Sequence, residues 1–178
     1  TTGVTTTADG STGAFTITAP ELAAGNYDFT VKAIDTAGNT SAASDAVSFT
    51  IDTTAPGKPD ITTSGATTNN PKPTISGTAE PGSTVTLFVD GSTTGVTTAA
   101  DGSSGAFTIT PSSALTAGSS YDFTVKATDT AGNTSAESDP VLFTIDTTAP
   151  GKPTITTGET ITNDSTPTIT VNAEPSSD

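Results

Sequence analysis

The sequence predicts an all-β protein made of tandem, seven-stranded antiparallel β-sandwiches. Three observations lead to this prediction. Thr supplies 44 of the 178 residues, and its β-branched side chain is favoured on pleated strands. Short segments alternate apolar and polar residues without a helical period, and the 17 Gly and 12 Pro lie between them as turn residues. Long stretches also recur after about 94 residues, as an array of similar domains requires.

The repeat is nearly identical in two stretches. Residues 1–18 return at 93–110 with 16 identities, and residues 27–59 return at 121–153 with 29 of 33 identities. A third copy begins at Thr147. Because the period is too long for a solenoid unit and typical of a small compact domain, we expect bead-like domains in a row.

A Pro-containing linker separates the copies. Asp-Thr-Thr-Ala-Pro-Gly-Lys-Pro occupies 52–59 and is repeated at 146–153. Pro holds the residue before it extended, so we expect a short, stiff connector and not a flexible tether. The linker positions predict the C-terminal part of one repeat in 1–52, a complete repeat in 53–146, and the N-terminal part of the next repeat in 147–178.

Seven segments of the complete repeat alternate as half-buried strands do. Asp90-Gly91 and Asp101-Gly102 are turn dipeptides that predict hairpins after two of them. The predicted strands lie near 59–63, 73–79, 84–90, 93–99, 105–110, 121–128 and 140–146.

The parity of side chains along these strands divides core from surface. Phe123 and Phe143 fall on inward positions of neighbouring strands in one sheet, so we expect both in the core. Phe88 and Lys126 fall on outward positions. An outward Lys126 argues against a Lys–Asn isopeptide crosslink, which needs an inward Lys beside a carboxyl group.

One local pattern narrows the type of sandwich. Leu115-x-x-Gly118-x-x-Tyr121 fits a tyrosine corner, in which the Tyr hydroxyl returns to the backbone of the preceding loop in an immunoglobulin-like sandwich. The first repeat carries a shortened form that ends at Tyr27. The alternative is that these are ordinary loop and core residues.

The repeat also resembles a known family. Tyr-Asp-Phe-Thr-Val-Lys-Ala-Thr-Asp-Thr-Ala-Gly-Asn-Thr-Ser at 121–135, Ile-Ser-Gly-Thr-Ala-Glu-Pro-Gly-Ser-Thr-Val at 75–85 and Phe-Thr-Ile-Asp-Thr-Thr-Ala-Pro at 143–150 are similar to the bacterial immunoglobulin-like tandem repeats of large calcium-dependent surface adhesins. The resemblance covers essentially the whole chain. It implies immunoglobulin-like sandwiches on the bacterial cell surface, exported by type I secretion and serving in biofilm formation or host attachment. It further implies a structural spacer with Ca²⁺ near the domain junctions.

Topology gathers acidic residues where two repeats meet. In a seven-stranded sandwich the B–C, D–E and F–G loops share the end at which the chain enters, here called the N-terminal pole, and the linker brings Asp52 to this end. Ca²⁺ takes six to eight oxygen ligands and accepts irregular geometry. The same arrangement starts again at the next linker. The candidate metal ligands are Asp52, Glu80, Asp101, Asp129, Asn133, Asp146 and Glu174.

Each of these loops also has a purely structural interpretation. Asp129-x-x-Gly-Asn133 and Glu80-Pro-Gly are turn sequences, in which an Asp side chain accepts local backbone hydrogen bonds. Asp101-Gly-Ser-Ser-Gly lacks the acidic alternation and the closing Glu of an EF-hand, so it predicts a hairpin turn. The sequence leaves the metal and turn interpretations open.

Composition excludes several function classes. Without His or Cys the chain has no Ser-His-Asp or Cys-His relay and no ordinary zinc site, so we expect no enzyme. It has no Arg, and its five Lys oppose 19 acidic residues to give a net charge of −14, which argues against binding to nucleic acid or anionic lipid. No apolar run approaches the roughly 20 residues of a membrane span.

We therefore expect a spacer whose partners are the neighbouring repeats of the same chain. One alternative is a subunit of an extracellular filament or surface layer. The sequence also leaves open whether adjacent chains of a fibre complete the partial repeats. Another is a carbohydrate-binding accessory module, for which Phe88 is the one outward aromatic candidate. Because Thr1 replaces an initiator Met and no signal-peptide pattern follows, we expect an internal part of a longer protein.

Overall fold

The computed structural model describes residues 3–158 and 161–175. Among these residues no helix is long and apolar enough to cross a membrane. The strands are β1 (Gly25–Phe29), β2 (Val47–Ile51), β3 (Asp60–Ile61), β4 (Ala66–Thr68), β5 (Ile75–Thr78), β6 (Thr84–Val89), β7 (Ser92–Ala99), β8 (Ala106–Ile109), β9 (Ser119–Thr128), β10 (Val141–Ile145), β11 (Thr154–Ile155) and β12 (Val171–Asn172).

Strands β3 to β10 form a two-layer sandwich. One sheet has the order β4-β10-β9-β6-β7, and the other has the order β3-β5-β8. Neighbours are antiparallel except β4 and β10, which are parallel. The all-β sandwich prediction is confirmed. The core between the sheets consists of Ile75, Val85, Leu87, Ala100, Phe107, Ile109, Phe123, Val125, Val141 and Phe143.

The predicted side-chain parity is confirmed. Phe123 and Phe143 are buried on the adjacent strands β9 and β10. Lys126 points outward, with Nζ 5.1 Å from the centroid of the Phe88 ring and 3.3 Å from Oε2 of Glu137. This outward position removes Lys126 as a candidate for a crosslink buried in the core.

The complete repeat has eight strands where the sequence predicts seven. The strand predicted at 59–63 is present only as the short β3. The chain then crosses to the other sheet and forms β4 beside β10. At the crossing, a Cβ added to Gly65 would lie 2.2 Å from the carbonyl oxygen of Leu142, so only Gly permits the approach. The alternation of apolar and polar residues does not reveal such a long-range contact, so the sequence does not predict β4. The other six predicted strands agree with β5 to β10 within two residues at either end.

Two local predictions are also confirmed. Asp90 and Gly91 have φ angles of 49° and 72°, as a two-residue hairpin turn of type I′ requires. The hydroxyl of Tyr121 accepts a hydrogen bond from the backbone N–H of Thr116 at 3.1 Å, which closes the tyrosine corner. In the first repeat, the hydroxyl of Tyr27 also bonds to the backbone of its preceding loop, but there it donates, to the carbonyl oxygen of Ala23 at 3.0 Å.

The two partial repeats keep the strand pairing of the complete one. Tyr27 is opposite Phe49 in β1 and β2, as Tyr121 is opposite Phe143 in β9 and β10. Strand β11 likewise pairs with β12 in the register of β3 with β5. Burial differs, because Phe49 is 54% exposed and Phe143 is 6% exposed. Strand pairing is therefore local, whereas burial requires both sheets.

Candidate functional site

The loop that connects β9 and β10 folds around one carboxylate. Oδ1 of Asp129 accepts hydrogen bonds from the backbone N–H groups of Ala131 and Asn133, both at 2.9 Å. Oδ2 accepts a hydrogen bond from Nδ2 of Asn133 at 2.8 Å. The side-chain bond from Asn133 is the main cause that lowers the pKa of Asp129. The carboxylate is therefore ionised at neutral pH and makes the local bonds of the turn interpretation.

Asn133 also joins this loop to the linker. Its Nδ2 group donates a second hydrogen bond, to the main-chain carbonyl oxygen of Asp52 at 3.1 Å. Asp52 uses its own carboxylate within the linker, where Oδ1 accepts the backbone N–H of Thr54 at 2.9 Å. Of the predicted site residues, Asp52, Asp129 and Asn133 thus come together at the N-terminal pole.

Asp101 lies in the hairpin turn between β7 and β8. Its Oδ1 accepts hydrogen bonds from the backbone N–H of Ser103 at 3.1 Å, and from the backbone N–H and hydroxyl of Ser104 at 2.8 Å each. The backbone bond from Ser104 is the main cause of the lowered pKa of Asp101. These contacts are those of the hairpin turn that the sequence predicts.

Glu80 lies in the loop between β5 and β6. Backbone hydrogen bonds of 2.9 Å from Ala79 to Gly105 and from Ala100 to Ser83 join this loop to the Asp101 turn. Together with linker residues, Glu80 lines a surface groove of about 320 Å³. The lining residues are Gly57, Lys58, Asp60, Thr78, Ala79 and Glu80.

The second linker repeats part of this arrangement. Oδ1 of Asp146 accepts the backbone N–H of Thr148 at 2.9 Å, as Asp52 does in the first linker. Oε2 of Glu174 accepts the backbone N–H of Gly151 at 3.1 Å. Glu174 is the equivalent of Glu80 in the next repeat, and its carboxylate is thus held against the linker.

The number and kind of donor atoms decide how well these residues suit a calcium ion. The carbonyl of Asp52, the carboxylate of Asp129 and the amide of Asn133 are oxygen-bearing groups of the kind that Ca²⁺ takes. Within 3–158 and 161–175, no three Asp or Glu residues form a group that could hold a metal ion. A calcium ion at this junction would therefore rely on carbonyl, amide and water oxygens beside single carboxylates, and the calcium site stays a prediction.

The structure adds an ion pair that the sequence did not predict. Nζ of Lys58, in the linker, lies 2.7 Å from Oδ1 of Asp139, just before β10. The equivalent residue in the first repeat is Asp45, so both copies have an Asp at this position. The pairing itself joins residues 81 positions apart, which local patterns cannot connect.

The chain is similar to parts of longer curated proteins. Chitinase A1 of Niallia circulans is 42% identical over 147 residues, which cover 76% of this chain and 20% of that protein. Exoglucanase B of Cellulomonas fimi is 38% identical over 150 residues, covering 78% of this chain and 14% of that protein. Endoglucanase B of Cellulomonas fimi is 39% identical over 190 residues, covering 90% of this chain and 17% of that protein. The chain thus spans a fifth or less of each relative, and no whole enzyme corresponds to it.

A solved structure described as a biofilm associated protein, BSP domain, matches with a TM-score of 0.40 and 24% identity. The match covers 79% of this chain and 22% of that one. A family model described as a bacterial Ig-like domain matches residues 1–53 and 60–147, well over half of the chain. Strands β3 to β10 form a two-sheet sandwich, and its tyrosine corner is a hallmark of immunoglobulin-like domains. The chain therefore belongs to the bacterial Ig-like domain family.

Proposed function

We propose that the chain is a structural spacer in a large, extracellular bacterial surface adhesin, where rows of sandwiches hold a binding domain away from the cell. One observation carries the proposal: the chain enters and leaves the complete repeat at opposite ends. The loop after β9 contacts the incoming linker at Asp52, whereas Ile145 at the end of β10 is paired with Ser119 at the start of β9. The 10 residues of β9 separate these ends by about 30 Å, at about 3.3 Å per residue.

The similarity of the copies supports the same role. A spacer gains length from each added domain and needs no unique site in any of them. The chain fits this logic, because 29 of 33 residues in its longest repeated stretch are identical and the linker is unchanged. Its partners in this role are the neighbouring repeats of the same chain.

The spacer function is tested by measuring length against repeat number. Small-angle scattering on chains with one, two and four complete repeats should show a maximum dimension that rises by a constant increment per repeat. The increment should be at least the roughly 30 Å spanned by β9. A dimension that grows much more slowly, as in a collapsed cluster of domains, would contradict the proposal.

We further propose that Ca²⁺ stiffens the junctions. The ligands would come from Asp52, Glu80, Asp129 and Asn133 at the first linker and from Asp146 and Glu174 at the second, with Asp101 on the neighbouring hairpin. Asp52, Glu80 and Asp129 would carry like charges at the N-terminal pole, and a bound Ca²⁺ would offset their repulsion. For extracellular modules the dissociation constant is about 0.1–1 mM, and a tenfold excess then adds about 1.4 kcal/mol per site.

Calorimetry and scattering on a chain with two complete repeats test this proposal. Adding Ca²⁺ should release or absorb heat in the millimolar range and extend the particle, and EDTA should reverse the extension. Asp52→Ala should abolish the response while both sandwiches stay folded. Absence of binding heat together with unchanged dimensions would rule out the calcium site.

The curated relatives favour a second candidate, an accessory module of a polysaccharide-degrading enzyme. Relatives of 38–42% identity bear the names chitinase and exoglucanase. Sedimentation of the chain with insoluble chitin or cellulose separates the candidates, since a carbohydrate-binding module would pellet with the polymer and a spacer would stay in the supernatant. Analytical ultracentrifugation of the free chain tests the filament alternative, which requires concentration-dependent assembly.

A further inference from the structure

We infer that the loop at 129–139 is a docking surface for the linker at 52–59, and that this contact holds the linker on the complete repeat without a metal ion. The loop holds the linker near both ends. At one end, Nδ2 of Asn133 bonds to the carbonyl oxygen of Asp52 at 3.1 Å. At the other end, the carboxylate of Asp139 binds Nζ of Lys58 at 2.7 Å. Its role in the protein rests on the spacer function proposed above.

The two prolines of the linker add to these contacts. Pro56 and Pro59 are buried in the first linker, whereas Pro150 and Pro153, in the identical second linker, are exposed. Because the two linkers have the same sequence, composition cannot explain the difference. The first linker precedes a closed sandwich that includes the loop at 129–139, and the described part of the chain offers the second linker no such loop. Burial of the prolines therefore comes from docking on the complete repeat.

The loop that forms the docking surface adopts the same hydrogen bonds without a linker bound to it. In the first repeat, Oδ1 of Asp35 accepts the backbone N–H of Asn39 at 2.8 Å, and Oδ2 accepts its Nδ2 group at 2.7 Å. These are the bonds of Asp129 with Asn133. Within the described residues no hydrogen bond or ion pair joins Asn39 or Asp45 to a linker. The loop therefore needs no partner to form, and docking orders the linker alone.

The chemistry of the surface defines what it accepts. Its ligand is a segment with an exposed carbonyl and a Lys six positions later, in which Pro56 before the Lys and Pro59 after it restrict the backbone. The Lys58–Asp139 pair is exposed, and such pairs are weak and screened by salt. The surface therefore depends on both contacts and on the low conformational freedom of the linker.

The experiment measures backbone order in the linker of the full chain, with EDTA present throughout. ¹⁵N relaxation should give the linker amides order parameters of about 0.85, the value of rigid backbone. In the double variant Asn133→Ala/Asp139→Asn these values should fall below about 0.6. The matched control Asn39→Ala/Asp45→Asn changes the same chemistry in the first repeat and should leave the linker ordered.

Two outcomes overturn the inference: a linker that stays ordered in the double variant, or a control that loosens it equally. If the double variant does not fold, Lys58→Ala combined with Asp139→Asn applies the same criterion, since the side chains are 46% and 90% exposed. Asp52→Ala separates this inference from the calcium site. It removes a proposed metal ligand and keeps the carbonyl that Asn133 binds, so the linker should stay ordered in EDTA. Failure of the spacer function would appear instead in the length measurement.

Discussion

The rings of Phe123 and Phe143 lie edge to face, with centroids 5.7 Å apart and planes at 87°. The equivalent pair of the first repeat, Phe29 and Phe49, keeps this geometry at 5.5 Å and 85°. Edge-to-face contact is a preferred arrangement of aromatic rings. The two pairs differ in burial, since Phe143 is 6% exposed and Phe49 is 54% exposed. The chain thus contains one aromatic contact in two environments.

This comparison predicts unequal effects of the same mutation. Phe123→Ala or Phe143→Ala should lower the free energy of unfolding of the complete repeat by about 3–5 kcal/mol, because each leaves a cavity in a closed core. Phe49→Ala should change it by less than about 0.5 kcal/mol, as mutations outside a core usually do. Urea denaturation followed by near-ultraviolet circular dichroism measures both. Equal effects at Phe49 and Phe143 would mean that the partial repeat is packed.

Gly105 is expected to tolerate no side chain. Its φ angle is +70°, and an added Cβ would lie 2.1 Å from the carbonyl oxygen of Ala79. Gly105→Ala should therefore destabilise the complete repeat by about 2–4 kcal/mol, from the left-handed backbone and the overlap together. Gly102, in the same hairpin, has nothing within 4 Å of its Cβ position, so Gly102→Ala should be nearly neutral. Thermal denaturation of the two variants tests the contrast.

The pKa of Asp129 should depend on one neighbour. The hydrogen bond from the side chain of Asn133 is the main cause that lowers it below the ordinary value of 3.8. Asn133→Ala should raise the pKa of Asp129 and leave the pKa of Asp35 unchanged, because the pKa of Asp35 is lowered by its own neighbour, Asn39. Carbon-detected NMR titration of the carboxyl groups resolves the two residues. A shift of both residues would show that the effect is not local.

The sign of the associated pH dependence follows from linkage. A carboxyl group with a lowered folded-state pKa contributes stability above its unfolded-state value, and this contribution is lost as the pH falls through the folded-state value. The native chain should therefore lose more stability than Asn133→Ala between about pH 4 and the lower folded-state pKa of Asp129. Denaturant midpoints at a series of pH values measure the difference, and parallel curves would contradict it.

The tyrosine corner should stabilise the complete repeat modestly. Tyr121→Phe removes the hydroxyl that accepts the backbone N–H of Thr116. Because water can reach this exposed loop, the loss should be about 1 kcal/mol, the net value of an ordinary hydrogen bond. Tyr27→Phe removes the corresponding bond to Ala23 in a partial repeat and should not affect the unfolding of the complete one. Equilibrium denaturation of both variants tests the assignment.

Features encoded locally could be predicted from the sequence, and features set by distant contacts could not. Alternation places Phe123 inside and Lys126 outside, and Asp90-Gly91 marks its turn, because each depends on a few adjacent residues. Strand β4 depends on the approach of Gly65 to Leu142, far away in the chain. At the junction, topology correctly brings Asp52 beside the loop of Asp129. The ion pair of Lys58 with Asp139 depends on side-chain positions that no local pattern specifies.

The parallel pairing of β4 with β10 determines how the complete repeat resists a pulling force. Ala66, Thr67 and Thr68 are opposite Phe143, Thr144 and Ile145, and the N–H of Asp146 bonds to the carbonyl of Thr68 at 2.9 Å. The chain enters ahead of β4 and leaves after β10, so tension along the array drives the two strands past each other lengthwise. Their hydrogen bonds are then loaded together in shear and cannot open one at a time. In the spacer role proposed above, the complete repeat would therefore resist stretching between its two ends.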